Sequence, residues 1–227
     1  MIVSTYQPFF SPFPGFFYKA HLSDVMVILD DVQFPLRTSW VSRNRFKNDQ
    51  GTLWITIPVW KKGLALQRIR DVQICHEGNW RKKRLASLKA AYSKAPYLKD
   101  HQDVLEQIFS LKFERLIDLN LMTIRYLRTN LRIDCPFILQ SQMGIRSRGN
   151  VLLLEICRKL GGAVYLAQES TKKYLDGAAF ASAGVELCFF SAPSPVYPQL
   201  WGNFIHDLSA FDLLLNCGPK GRDVLLQ

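Results

Sequence analysis

The chain has 227 residues, enough for one large domain or a domain with a helical insert. Its hydrophobic content of 48% and charged content of 21% exclude a disordered segment. No apolar run has the length needed to span a bilayer, and the N-terminus lacks the basic start and cleavage site of a signal peptide, so a soluble, cytoplasmic protein with no membrane span is expected.

A first apolar strand over 2–6 runs into Tyr6-Gln7-Pro8 and a turn stiffened by Pro12 and Pro14. A helix over 16–23 and a second strand over 25–30, ending on Asp30-Asp31, come next. Asn48-Asp49-Gln50-Gly51 reads as a hairpin turn before a strand over 53–59, and another strand is expected at 66–74. Helices at 79–95, 101–112 and 114–131 fill the middle. Asn79 is an N-cap for the first, Pro96 marks a break, and Ile117, Leu121, Ile124 and Leu131 make a core stripe at helical spacing. Strands at 136–140, 163–167 and 185–190 then alternate with helices at 149–160, 171–182 and 208–216, and Gly161-Gly162 ends the helix before the strand at 163–167. Alternation at both ends argues for an α/β, Rossmann-like fold with a mainly parallel sheet and an inserted helical layer. The expected organisation is a single domain over 1–227 with its helical insert at about 79–131.

The five cysteines are odd in number and scattered, which fits reduced thiols. Cys75-His76 is half a metal site at best, and no cofactor or metal is expected. The net charge of +10 is uneven: residues 37 to 99 hold 15 Lys and Arg against 3 Asp and Glu, a local +12, leaving −2 for the rest. Such a segment suits phosphorylated small molecules or nucleic acid, against the plain alternative of a solvated surface.

Polar residues gather where buried strands end, the usual place for a ligand in an open α/β sheet. Gln7 follows the first strand, and with the helix opening at Gly15 or Phe16 it occupies the phosphate position of a Rossmann-like nucleotide fold. Asp30 and Asp31 follow the second strand and, as neighbours in an extended chain, point opposite ways, so one can serve as general base. Arg43 and Arg45 share a face of an extended segment and make a fork for phosphate or carboxylate, with Asn44 between them. Lys19 either reaches back to a phosphate or sits in solvent. Lys173 lies in a loop after a strand, and Tyr197 and Gln199 in a proline-rich loop that closes over a substrate or packs rigidly.

Several motifs together carry a resemblance: Gln-Pro-x(3)-Pro-x(2)-Gly-x(3)-Lys from Gln7, Leu-Asp-x-Val-Gln-Phe from Leu29, Trp-x(2)-Arg-Asn-Arg from Trp40, Lys173-Tyr174-Leu175-Asp176 and Tyr197-Pro198-Gln199. The pattern resembles the WbqC-like family over nearly the whole chain. The resemblance implies a place in bacterial surface-polysaccharide (O-antigen, lipopolysaccharide) biosynthesis, and some members are labelled glycine transferases. It favours Asp30 and Gln7 as catalytic residues, and Lys19, Gln33, Arg43, Asn44, Arg45, Lys173, Tyr197 and Gln199 as substrate-binding residues. The implied reaction is transfer of an aminoacyl or acyl unit, glycyl in the family label, to an amino sugar carried on a nucleotide. The alternatives are a nucleic-acid or tRNA-binding module, with charged tRNA as donor, and a non-catalytic partner in a glycan assembly complex. One departure stands out: many relatives have His before the Gln-Pro pair where this chain has Tyr6, and a catalytic His there would leave this protein altered or inactive.

Overall fold

The computed structural model describes residues 1–61, 63, 64 and 66–227. Its centre is a parallel sheet of five strands: β1 (Ile2–Tyr6), β2 (Val25–Ile28), β5 (Phe137–Leu139), β6 (Val164–Gln168) and β7 (Glu186–Phe190). They lie in the order β5-β2-β1-β6-β7, and every pairing is parallel. The chain steps outward from β1 to β2 and β5, then returns to the other side of β1 for β6 and β7. This is the doubly wound, Rossmann-like α/β arrangement, and its order reverses between β1 and β6.

The winding puts helices on both faces. One face carries α1 (Pro14–His21), the helices α2 (Trp80–Ala91), α3 (Leu98–Ser110) and α4 (Leu116–Asn130), and the C-terminal α7 (Ala210–Cys217) and α8 (Gly221–Leu225). Phe16, Met26, Ile28, Leu127 and Phe211 belong to its core. The other face carries α5 (Gly149–Leu160) and α6 (Gly177–Ser182), packed on Val3, Val25, Val27 and Tyr165. Val25 and Val27 face one way and Met26 and Ile28 the other, so β2 is buried along its length and reads as a continuous apolar run. At the end of α5, Gly161 takes φ 70 as the left-handed cap. Its neighbour Gly162 lies so close to β1 that a Cβ there would collide with Val3.

A hairpin of β3 (Arg43–Asn48) and β4 (Gly51–Thr56) stands apart from the sheet, closed by the expected Asn48-to-Gly51 turn. The strand expected at 66–74 is instead a 3-10 turn, Ile69–Asp71, flanked by single bridges Gln33–Arg68 and Val59–Ile74. Its amides are taken individually: Ile69 N by Val32 O and Arg70 N by Asp30 O. The segment caps the end of β2 and has no neighbouring strand to continue a ladder. The helix expected at 171–182 is split into a 3-10 turn, Glu169–Tyr174, and α6, which starts where the Asp176 carboxylate accepts from Ala179 N.

The deepest polar cluster ties the hairpin to the C-terminal helix. Asp212 of α7 is fully buried and accepts from the Tyr92 hydroxyl at 2.7 Å and the Tyr197 hydroxyl at 2.9 Å. Burial holds its carboxyl above the usual range, while the two tyrosines and the Lys47 charge pull it back down. Lys47 is itself 2% exposed, and its ammonium donates to Gln199 Oε1 at 3.1 Å and Asn203 O at 2.6 Å. Tyr197 and Gln199 therefore serve as braces in the interior of the loop. Asp212→Ala leaves two buried hydroxyls without their acceptor and removes the negative charge facing Lys47, and urea unfolding should register a loss of about 3–5 kcal/mol. A loss below about 1 kcal/mol would mean the network contributes little to the fold.

Candidate functional site

The reversal of strand order opens the sheet. β1 stays paired to β2 as far as Tyr6–Ile28, but its ladder with β6 stops at Ser4–Leu166. Leu29 N bonds Tyr6 O on the β2 side, so the Thr5 carbonyl, one residue back, points toward β6. The Lys19 ammonium fills the missing place and donates to Thr5 O at 3.0 Å. Across the gap the Tyr6 hydroxyl donates to Gln168 Oε1 at 3.0 Å, and Thr5 Oγ1 meets the Tyr165 hydroxyl at 2.8 Å. Above these bonds lies a crevice of about 280 Å³, lined by Tyr6, Gln7, Lys19, Gln168, Thr171 and Tyr174 among others. This is the position at which open α/β sheets take their ligands.

Lys19 is the unusual group in it. It is 5% exposed, has no carboxylate partner among the described residues, and has the Tyr6 ring 5.2 Å away. Burial pushes its ammonium down to about 7 from an ordinary 10.5. An amine so placed exchanges its proton near neutral pH, as a general base or nucleophile must. Lys19 is drawn inward because α1 is a short helix whose other side chains, Phe16, Phe17 and Ala20, pack into the core. Burial and the Asp207 charge hold the Tyr6 phenol protonated, against the pull of its bond to Gln168.

The loop above the crevice is pinned by two buried asparagines. Asn44 Nδ2 donates to Phe10 O at 3.1 Å and Ser11 O at 2.6 Å, and Asn120 Nδ2 donates to Pro8 O at 2.7 Å and Val41 O at 2.8 Å. Ser11 (φ 51) and Asp207 (φ 53) are held in the left-handed region nearby, a strain that the surrounding contacts must offset. Asp207 also borders an adjoining recess of about 350 Å³ with Gln168 and Ser194, and Ser194 Oγ lies 2.8 Å from His206 Nδ1.

The residues singled out from sequence fall into separate places. Gln7 and Lys19 line the crevice, and Lys173 is exposed in the 3-10 turn beside Tyr174. Asp30 is 2% exposed, and both its oxygens hold the next turn: Oδ1 accepts from Ser141 N at 2.9 Å and Oδ2 from Ser141 Oγ at 2.6 Å. Gln33 lies at a different cavity, beside Arg68. Arg43 and Arg45 do share the outer face of the hairpin, while Asn44 turns inward. Arg43 lies 4.0 Å over Trp54, Arg45 lies 5.6 Å from Trp40, and the two indoles are 5.6 Å apart. Arg45 also donates to the His206 and Asp207 carbonyls at 3.0 Å each, which joins this face to the rim of the recess. The opening of α1 offers no phosphate cradle: a Cβ on Gly15 would meet Phe13 and Ala192 at 2.7 and 2.9 Å, so packing covers it.

Sequence reasoning passed over Tyr6 and Gln168 as partners across the gap. Their pairing links residues 162 positions apart and leaves no local mark. Part of the basic excess has partners within the chain: Lys47 is buried, Arg68 and Arg70 meet Asp31 at 2.9 Å, and Lys89 meets Glu106 at 2.6 Å. Lys62, counted in that excess, lies outside the described residues. Among the described residues no helix is long and apolar enough to cross a membrane.

A model of the WbqC-like protein family matches residues 7–224. Uncharacterized protein Rv1507c of Mycobacterium tuberculosis is 30% identical over 232 residues, which cover 98% of this chain and 96% of that protein. No solved structure matches the chain.

Lys19→Met keeps the side-chain length and removes the buried charge. Relief of the buried charge outweighs the hydrogen bond lost at Thr5 O, so the fold should gain about 1–3 kcal/mol near neutral pH. The folded amine titrates near 7 and the unfolded one near 10.5, so between those values the unfolded chain binds the extra proton. Wild-type stability should therefore climb toward that of the variant as pH rises from about 7 to about 10. Paired thermal melts across that range test this, and a gap that stays constant would show that Lys19 is not held as a perturbed amine.

Proposed function

The chain belongs to the WbqC-like protein family, and from that premise we propose that it is a transferase of bacterial surface-polysaccharide biosynthesis. It moves an aminoacyl or acyl unit, glycyl in the simplest case, onto the amine of a nucleotide-linked amino sugar. The observation that carries this reading is Lys19, a buried amine without a carboxylate partner at the crevice where the sheet reverses.

The roles follow from position. The acceptor amine attacks the carbonyl carbon of the activated donor, a C–N bond forms, and the bond to the leaving thiol or hydroxyl breaks. Neutral Lys19 takes the proton that the attacking nitrogen sheds, and the leaving group carries away a proton in turn. Gln7, at the mouth of the same crevice, offers its side-chain amide to the carbonyl oxygen as charge builds there. Tyr6 occupies the place where many relatives have His; its phenol is held protonated and tied to Gln168, so it orients and does not accept the proton. Asp30, just after β2, supports the chemistry by fixing the Ser141 turn that follows β5. Arg43 and Arg45, stacked with Trp54 and Trp40, present flat rings and positive charge together, a surface that suits a sugar or base bearing phosphate.

The test is an amide-forming assay read by mass spectrometry. Uridine diphosphate-linked amino sugars are incubated with acyl-coenzyme A, glycyl-adenylate and glycyl-tRNA as separate donors. One donor should give an N-acylated or N-glycyl sugar nucleotide, with turnover rising through about pH 7, and Lys19→Met should lower kcat by about 10²–10⁴-fold while still binding the sugar nucleotide. Failure of every donor, or a Lys19→Met protein as active as wild type, would refute the reading.

A further inference from the structure

A second and larger cavity, about 530 Å³, lies at the same edge of the sheet beyond the ends of β2 and β5. Leu152 of α5 borders it, whereas Leu153 borders the Lys19 crevice, so the start of α5 stands between the two. A volume of this order accommodates a nucleotide or sugar phosphate.

Its charge is one-sided. Three arginines, Arg68, Arg146 and Arg148, line it against one carboxylate, Asp31. Asp31 is already met by Arg68 and Arg70 at 2.9 Å each. Arg146 and Arg148 form no ion pair among the described residues, so their charge stays uncompensated. They are also braced. Between them Ser147 Oγ donates to Glu155 Oε2 of α5 at 2.7 Å, and Lys159 Nζ donates to Met143 O at 2.5 Å. The loop is thereby tied back onto α5, while the residues on either side of Ser147 line the cavity.

The loop ends at the start of a 12-residue helix. The residue before it, Arg148, makes no side-chain cap, so the first-turn amides of α5 keep their donors for another partner. Gly149 takes φ 58 with nothing within 4 Å of where a Cβ would stand, which leaves that approach bare. An independent feature points to a ligand. Gln140 is 2% exposed, it lines the same cavity, and its amide oxygen has no hydrogen-bond partner among the described residues. Buried acceptors are nearly always satisfied, and a hydroxyl or N–H of a bound molecule would satisfy this one.

We infer that this cavity binds a phosphate ester with a polar ring, as in a sugar phosphate or a nucleoside diphosphate. The phosphate is held by Arg146, Arg148 and the first amides of α5, and a ring hydroxyl or N–H meets Gln140. The site stands on its own residues and does not depend on the transfer reaction assigned to the Lys19 crevice.

Calorimetric titration of the full chain tests it with four probes: uridine diphosphate, adenosine diphosphate, a hexose 1-phosphate and inorganic pyrophosphate. At least one of the three esters should bind wild type. The exposed double variant R146A/R148A should weaken that ester by about tenfold or more, with a shallower salt dependence. Gln140→Leu should weaken the ester and leave pyrophosphate unchanged, and Lys19→Met should bind the ester as wild type does. The inference is overturned if no ester binds, if R146A/R148A binds as tightly as wild type, or if Lys19→Met alone abolishes binding, which would move the ligand to the crevice. Loss of the transfer reaction with ester binding intact would sink only the earlier reading.

Discussion

A parallel sheet whose strand order reverses at its central strand cannot stay closed to its end. Strand β1 is committed to β2 on one side through Tyr6, and on the other side β6 leaves it two residues earlier, at Ser4–Leu166. The connections leaving the two strands run to opposite faces of the sheet, so the strands part and one carbonyl, Thr5 O, is left without its ladder partner. The protein satisfies it with an ammonium, Lys19, where a backbone amide would ordinarily serve. That substitution desolvates a charge beside the crevice that opens where the two strands part.

The surroundings are built to keep that opening in one shape. Asn44 and Asn120 each clamp two carbonyls around the loop that follows β1, and they come from the hairpin and from α4. The Asp212 network fastens the same hairpin to α7 from beneath. A buried asparagine that satisfies two carbonyls fixes position more tightly than apolar packing, because its hydrogen bonds fail over a few tenths of an ångström. The left-handed residues Ser11 and Asp207 sit within this clamped region, where the contacts around them hold a strained backbone in place.

Polar residues at the strand ends divide into those consumed by the architecture and those left for chemistry. Asp30 and Asp31 illustrate the first kind: one holds the Ser141 turn and the other is neutralised by Arg68 and Arg70. Lys19, Gln7, Arg146, Arg148 and Gln140 illustrate the second kind, since each lines a cavity and none meets a carboxylate among the described residues. Within the local +12 of residues 37 to 99, Lys47 is in the core and Arg68, Arg70 and Lys89 are ion-paired, so these four belong to the first kind.

By itself the sequence determined the α/β class, the existence of the strands it placed at 2–6, 25–30 and 163–167, the hairpin turn at Asn48-Asp49-Gln50-Gly51, and membership of a family whose motifs cluster at strand ends. These are local facts: apolar runs of strand length, turn residues, and spaced motifs are written within a few residues of one another. The tertiary structure alone decided that 66–74 is a set of single bridges, that Asn44, Tyr197 and Gln199 turn inward, that Lys19 is buried, and that Tyr6 pairs with Gln168. Each of those depends on which strand lies beside which, and a strand order is set by the burial of both sheet faces at once, over separations of a hundred residues or more. Lys19 shows the limit most plainly. A lysine on a short helix reads the same in sequence whether it meets water or a bare carbonyl, and only the parting of β1 from β6 places that carbonyl within its reach.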